Sequence, residues 1–124
     1  MPWIWREVSN PSANTVVVDI KGSRGENRAF NIHGIYIAHT STTAKKYAVR
    51  TLLESSGEVA HFFTIVVPAN STFIIDSDEP LVAGIGVFAG WEHFQIVAVD
   101  GGEPKLSIGV RIKGRWYTVT DMRG

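Results

Sequence analysis

The sequence predicts an all-β fold, an antiparallel β-sandwich of about eight to ten short strands with little or no helix. Three observations carry that prediction. Runs rich in Val, Ile, Thr, Phe and Tyr recur at intervals of roughly 8–14 residues, the spacing of a sandwich or barrel. Gly, Pro, Asn and Asp stand between the runs, where turns need them. Outside Ala44 to Leu53, apolar residues never recur at i, i+3, i+4 and i+7 for more than a turn or two.

Taken in chain order, residues 1–13 read as an N-terminal arm and residues 14–124 as one sandwich domain, since a chain of 124 residues holds too few for a second core. Trp3, Ile4 and Trp5 precede Ser9-Asn10-Pro11-Ser12, a polar stretch with the composition of a hinge. The predicted strands are Val16–Lys21, Phe30–Thr40, Lys46–Leu53, Glu58–Val67, Ser71–Asp76, Leu81–Phe88, His93–Val99, Lys105–Lys113 and Arg115–Thr120. Ser56-Gly57, Asp100-Gly101-Gly102 and Lys113-Gly114 supply glycine for hairpin turns. Pro68-Ala69-Asn70-Ser71 and Asp78-Glu79-Pro80 read as corners where the chain crosses between sheets. Leu106, Ile108, Val110 and Ile112 alternate with polar residues, which predicts a strand with one wet face in an outer position. Ile32, Ile35, Tyr36 and Ile37, and Phe62, Phe63, Ile65, Val66 and Val67, are apolar on both parities. Such strands are either covered in the middle of a sheet or turned toward another subunit.

Twelve Lys and Arg balance twelve Asp and Glu, so no positive field draws nucleic acid or an anionic membrane. Cysteine is absent, which removes disulfides and thiolate metal sites. The N-terminus lacks a basic segment followed by an apolar run, and no stretch reaches the roughly 18 apolar residues of a membrane span. Synthesis and assembly in the cytoplasm are expected.

The candidates for chemistry mostly fail on spacing. His33 and His39, six residues apart in one predicted strand, should share a face, and His61 or His93 would complete a metal set. No His-x-His occurs, however, so buried or interface histidines are expected and no metal. Gly22-Ser23-Arg24-Gly25 lies between two strands and not between a strand and a helix, so it is no nucleophile elbow. Asp76, Asp78 and Glu79 cluster at a turn without the spacing of a calcium loop. Gly84, Gly86 and Gly90 alternate with apolar residues in a strand, where they serve close packing and not phosphate binding. Asn70-Ser71-Thr72 matches a glycosylation acceptor but sits in a turn. No catalytic residue and no cofactor is predicted; the expected protein is not an enzyme.

Aromatic residues are the remaining signal. Trp3, Ile4, Trp5, Trp91, Trp116 and Tyr117 are the interface candidates, because Trp and Tyr anchor protein interfaces. Trp3 and Trp5 have equal parity and point the same way if extended. A docking arm is the favoured use, and stacking on sugars the alternative. Trp91 with Glu92, His93 and Gln95 is the best candidate for a sugar site, where an aromatic ring needs hydrogen-bonding neighbours.

The segments Phe30-Asn31-Ile32-His33-Gly34-Ile35-Tyr36-Ile37-Ala38-His39-Thr40-Ser41 and Val66-Val67-Pro68-Ala69-Asn70-Ser71-Thr72-Phe73-Ile74-Ile75-Asp76, followed by Glu79-Pro80-Leu81, resemble a recurrent pattern in small virion proteins of tailed bacteriophages. The resemblance covers roughly residues 28–99. His39 departs from it where Asn is usual, and the end from Ile108 to Met122 lies outside it. It implies a non-enzymatic, jelly-roll-like structural protein that decorates or cements the capsid, or joins the neck or tail. The implied partners are capsid or neck and tail proteins and further copies of this chain, commonly as a homotrimer, in a virion assembled in the host cytoplasm. The alternative is a carbohydrate- or receptor-binding module of tail-tip or adhesin type.

Overall fold

A computed structural model describes residues 3–22, 30–53, 56–85, 92–114 and 118–121. Their ten strands are β1 (Trp3–Val8), β2 (Thr15–Lys21), β3 (Phe30–His39), β4 (Lys45–Leu53), β5 (Glu58–Val67), β6 (Thr72–Asp76), β7 (Val82–Ile85), β8 (His93–Ala98), β9 (Leu106–Gly114) and β10 (Thr118–Asp121). They form two five-stranded antiparallel sheets. The first runs β1-β9-β3-β6, with β7 also on β3, and the second runs β10-β2-β8-β4-β5. This is a β-sandwich, and no helix occurs among the described residues.

Period-2 alternation explains how the sheets face each other. Leu106, Ile108, Val110 and Ile112 of β9 are buried, as are Tyr47 and Val49 of β4 and Phe94, Ile96 and Ala98 of β8. Alternate side chains leave a strand on opposite faces, so β4, β8 and β9 each lend one parity to a shared core.

The apolar double parity of β3 has a local cause. Its register with β9 runs Ile32↔Ile112 and then Gly34↔Arg111, skipping His33. The extra residue is a β-bulge, which leaves Ile32 and Ile35 both buried, sets Gly34 against the Trp3 ring on the outer face and turns the adjoining His33 the same way. Counting parity through the bulge therefore misplaces the histidines: His33 and His39 lie on opposite faces.

Other expectations need correcting as well. Residues 3–8 do not precede the first strand; they are β1, paired along β9 from Trp3↔Arg111 to Val8↔Leu106. Ile4 packs against the core. Strand β9 is not in an outer position, because β1 and β3 flank it. Of the three expected hairpin turns only Ser56-Gly57 joins a hairpin, β4 to β5. Asp100-Gly101-Gly102 carries the chain from β8 in one sheet to β9 in the other, and β10 pairs with β2, not β9. Gly57, Gly101 and Gly102 do have φ near +71° to +79°, a conformation without steric cost only for glycine. The corner at Pro68 crosses between sheets, whereas Asp78-Glu79-Pro80 turns within the first sheet, since β6 and β7 both pair with β3.

Candidate functional site

The outer face of the first sheet is organised in cross-strand rows. One row holds Trp3, Arg111, Gly34 and Asp76, and the next holds Trp5, Gly109, Tyr36 and Ile74. Two small residues in these rows make room for two large ones. A Cβ on Gly34 would stand 2.7 Å from the far end of the Trp3 ring, and one on Gly109 would stand 2.5 Å from the Trp5 ring. Both indoles therefore lie across β9, with their centroids 5.4 Å apart and their planes inclined by 20°. Tyr36 meets Trp5 edge-on, with centroids 5.1 Å apart and planes at 76°, a favourable arrangement for the ring quadrupoles. Trp5 nevertheless remains 57% exposed.

Polar groups rim this cluster. The Arg111 guanidinium donates to Asp76 Oδ1 at 2.5 Å and to the Ser77 carbonyl at 2.9 Å, which pins the β6 end of the face. At the opposite end Lys105 pairs with Glu7 at 3.4 Å, with both side chains largely exposed. The platform thus has an apolar centre with donors and acceptors at its margins, carried on paired strands or, for Lys105 and Ser77, on the residue next to one.

A second apolar surface lies where the sandwich gapes between edge strands β5 and β6. Phe63, Ile65, Phe73, Ile75 and Leu81 line a groove of about 370 Å³, and Phe62, Phe63, Val66, Ile74 and Ile75 are exposed. The apolar run of β5 is thus not central: Ile65 and Val67 are buried in the core, while Phe62, Phe63 and Val66 border solvent at the edge of the sheet.

Three of the four histidines are held by neighbours, and His61 is exposed on β5. His39 donates through Nε2 to the Val67 carbonyl at 3.0 Å and accepts at Nδ1 from the Ser41 N–H at 3.1 Å, which ties β3 to the end of β5. His93 contacts Asp19 at 2.7 Å. His33 donates through Nδ1 to the Ser77 carbonyl at 3.1 Å. No group of three or more metal-ligating side chains gathers among the described residues.

Of the expected site residues, Trp3 and Trp5 come together, and Ile4 between them faces the core. Trp91, Trp116 and Tyr117 lie outside the described residues, as do Ser23, Arg24, Gly25, Gly86 and Gly90. Of the polar neighbours expected for a sugar site at Trp91, His93 and Gln95 are buried and Gln95 accepts from Arg50 at 2.8 Å, while Glu92 is partly exposed. Sequence reasoning missed Tyr36, Arg111, Asp76 and the two glycines. The available signal was Gly109, a gap in the polar parity of β9 where a large neighbour could lie.

No protein-family model and no curated protein matches this chain. Among solved structures it is similar to PirA, with a TM-score of 0.51 at 14% identity over 90% of this chain and 93% of that one. It is also similar to a point mutant of a carbohydrate binding module family 29, with a TM-score of 0.37 at 14% identity over 91% of this chain and 94% of that one. A third is the CBM22-1–GH10 portion of Clostridium thermocellum xylanase 10B complexed with xylohexaose, with a TM-score of 0.41 at 13% identity over 91% of this chain and 25% of that one. The likeness to PirA concerns the fold, and the two lower scores carry no argument about function. None of these comparisons supports a virion assignment.

Proposed function

We propose that this chain is a glycan-binding β-sandwich that acts by recognition and not by catalysis, and that the outer face of its first sheet is the binding face. The observation that carries this reading is Trp5, more than half exposed yet braced by Trp3, Tyr36 and the backbone of Gly109. A pyranose ring offers C–H groups on its faces and hydroxyls around its rim. It suits a surface with an aromatic centre and a polar margin, the usual composition of a ligand site. Arg111 donates and Asp76 accepts beside the rings, and a rigid sheet holds them in place before a ligand arrives. Affinity electrophoresis in gels containing soluble xylan, mixed-linkage β-glucan, glucomannan or starch tests the reading. The native chain should be retarded by at least one polysaccharide, and Trp5→Ala should run as though the polysaccharide were absent. Equal mobility of the two proteins in every gel would overturn it.

A second reading, assembly through protein contacts, is favoured by the β5–β6 side. Between Val59 and Val67 the edge strand β5 carries no Lys, Arg, Asp, Glu or Pro, the residues that normally keep a sheet edge from pairing. The partner in this reading is a further copy of the chain, closing into a trimer or another ring. Light scattering at micromolar concentration should then show an oligomer that Val66→Lys converts to a monomer. A native chain that scatters as a monomer would rule it out.

A further inference from the structure

A pocket of about 510 Å³ opens at the end of the aromatic platform, lined by Phe30, Asn31, His33, Asp78, Pro80, Lys113 and Gly114. Its volume lies within the usual range for small-ligand sites, roughly 300–1,000 Å³. Asn31 and Lys113 form the cross-strand pair next after the row of Trp3 and Arg111, so the pocket continues the line of the platform along β9. The two are mechanically joined, because the Ser77 carbonyl accepts from both Arg111 beside the rings and His33 in the pocket wall. That bond commits the Nδ1 proton of His33. Its Nε2 is buried and has no hydrogen-bond partner among the described residues, an arrangement that costs free energy until a donor is supplied.

We propose that platform and pocket are parts of one elongated site for a neutral, linear glycan of three or more residues lying along β9, with the pocket as its outer subsite. This inference rests on the glycan-binding reading above. Length follows from the strand geometry. Successive rows on one face are two residues apart, so the distance from Trp5 and Tyr36 to Asn31 and Lys113 is about 14 Å, which outreaches a disaccharide. Neutrality follows from charge: among the described residues of this face, Lys105, Arg111 and Lys113 are matched by Glu7, Asp76 and Asp78, a balance that favours neither an acidic nor a basic sugar. In the pocket Lys113 donates, Asp78 accepts and the Asn31 amide does either, a set suited to hydroxyls.

Titration calorimetry with linear β-1,4 gluco-, xylo- and manno-oligosaccharides of two to six residues tests the inference. Affinity should rise about tenfold or more between the disaccharide and the tetrasaccharide and then level off, a factor that corresponds to about 1.4 kcal/mol. In Lys113→Ala, and more so in Asn31→Ala/Lys113→Ala, that gain should shrink to less than about threefold. Equal affinity for two and six residues, or a full gain retained in the double variant, would overturn the elongated site while leaving the platform standing. Binding that survives Trp5→Ala, or no binding by any oligosaccharide, would instead overturn the platform reading and this inference with it.

Discussion

A methyl group at position 109 would sit 2.5 Å from Cζ3 and 2.6 Å from Cε3 of Trp5, well inside carbon–carbon contact. Trp5 lies across β9 only because this residue has no side chain. Since Trp5 is at the surface, a larger residue displaces the ring and spares the core. Gly109→Val should therefore keep a cooperative melt close to that of the native chain, because valine suits a strand. Glycan affinity should nonetheless fall at least about tenfold in the same calorimetric titration. A different residue governs stability. Tyr47 and Glu103 are both fully buried, and the phenol donates to Glu103 Oε2 at 2.5 Å. Burial, and then the hydrogen bond and charge of Glu103, push the Tyr47 hydroxyl well above its ordinary value. The unfolded chain ionises this phenol near about pH 10 while the folded chain does not, so stability present below that pH is lost as pH rises beyond it. Tyr47→Phe should cost about 1–3 kcal/mol at neutral pH, because Glu103 loses its donor. Urea denaturation should then show the variant losing less further stability than the native chain above about pH 10.

Strand β1 is both a platform and a structural edge. Val8 is buried and Ile4 packs on the core, and burying each such side chain contributes about 1.5–3 kcal/mol. Removal of residues 3–8 should lower stability by several kcal/mol, whereas Trp5→Ala should cost less than about 1 kcal/mol. Thermal denaturation of the two variants separates these roles; a truncated chain that melts like the native one would contradict β1 as an integral strand. Most strands were legible within a residue or two because apolar alternation and turn residues are local properties. Strand β1 was not, since Trp3-Ile4-Trp5 looks like an arm until β9 is known to lie beside it. The bulge at His33 was equally hidden: a skipped pairing is a property of two strands, and the sequence of β3 alone shows only apolar residues on both parities. The same non-locality misassigned Asp100-Gly101-Gly102, whose positive φ was readable but whose destination in the other sheet was not.

For the whole molecule, the division into two sheets could be anticipated and the order of strands within them could not. The candidate site shows the same limit. Trp3 and Trp5 were readable as paired aromatics of equal parity, but Tyr36, Arg111 and Asp76 come from strands far apart in sequence and meet only through register. Charge balance over the whole chain argues against nucleic acid as a partner, and on the proposed binding face the balance among the described residues favours a neutral ligand. The measurement that tests glycan recognition most directly is the position of the indole N–H signals of the four tryptophans in an assigned ¹⁵N spectrum. It is recorded as a mixture of linear gluco-, xylo-, manno- and N-acetylglucosamine hexasaccharides is added to the native chain. Glycan recognition at this face should give saturable shifts of the Trp5 and Trp3 signals, together with the backbone amides of Tyr36 and Gly109. Signals that stay in place at millimolar oligosaccharide, or that move only outside the first sheet, would contradict it.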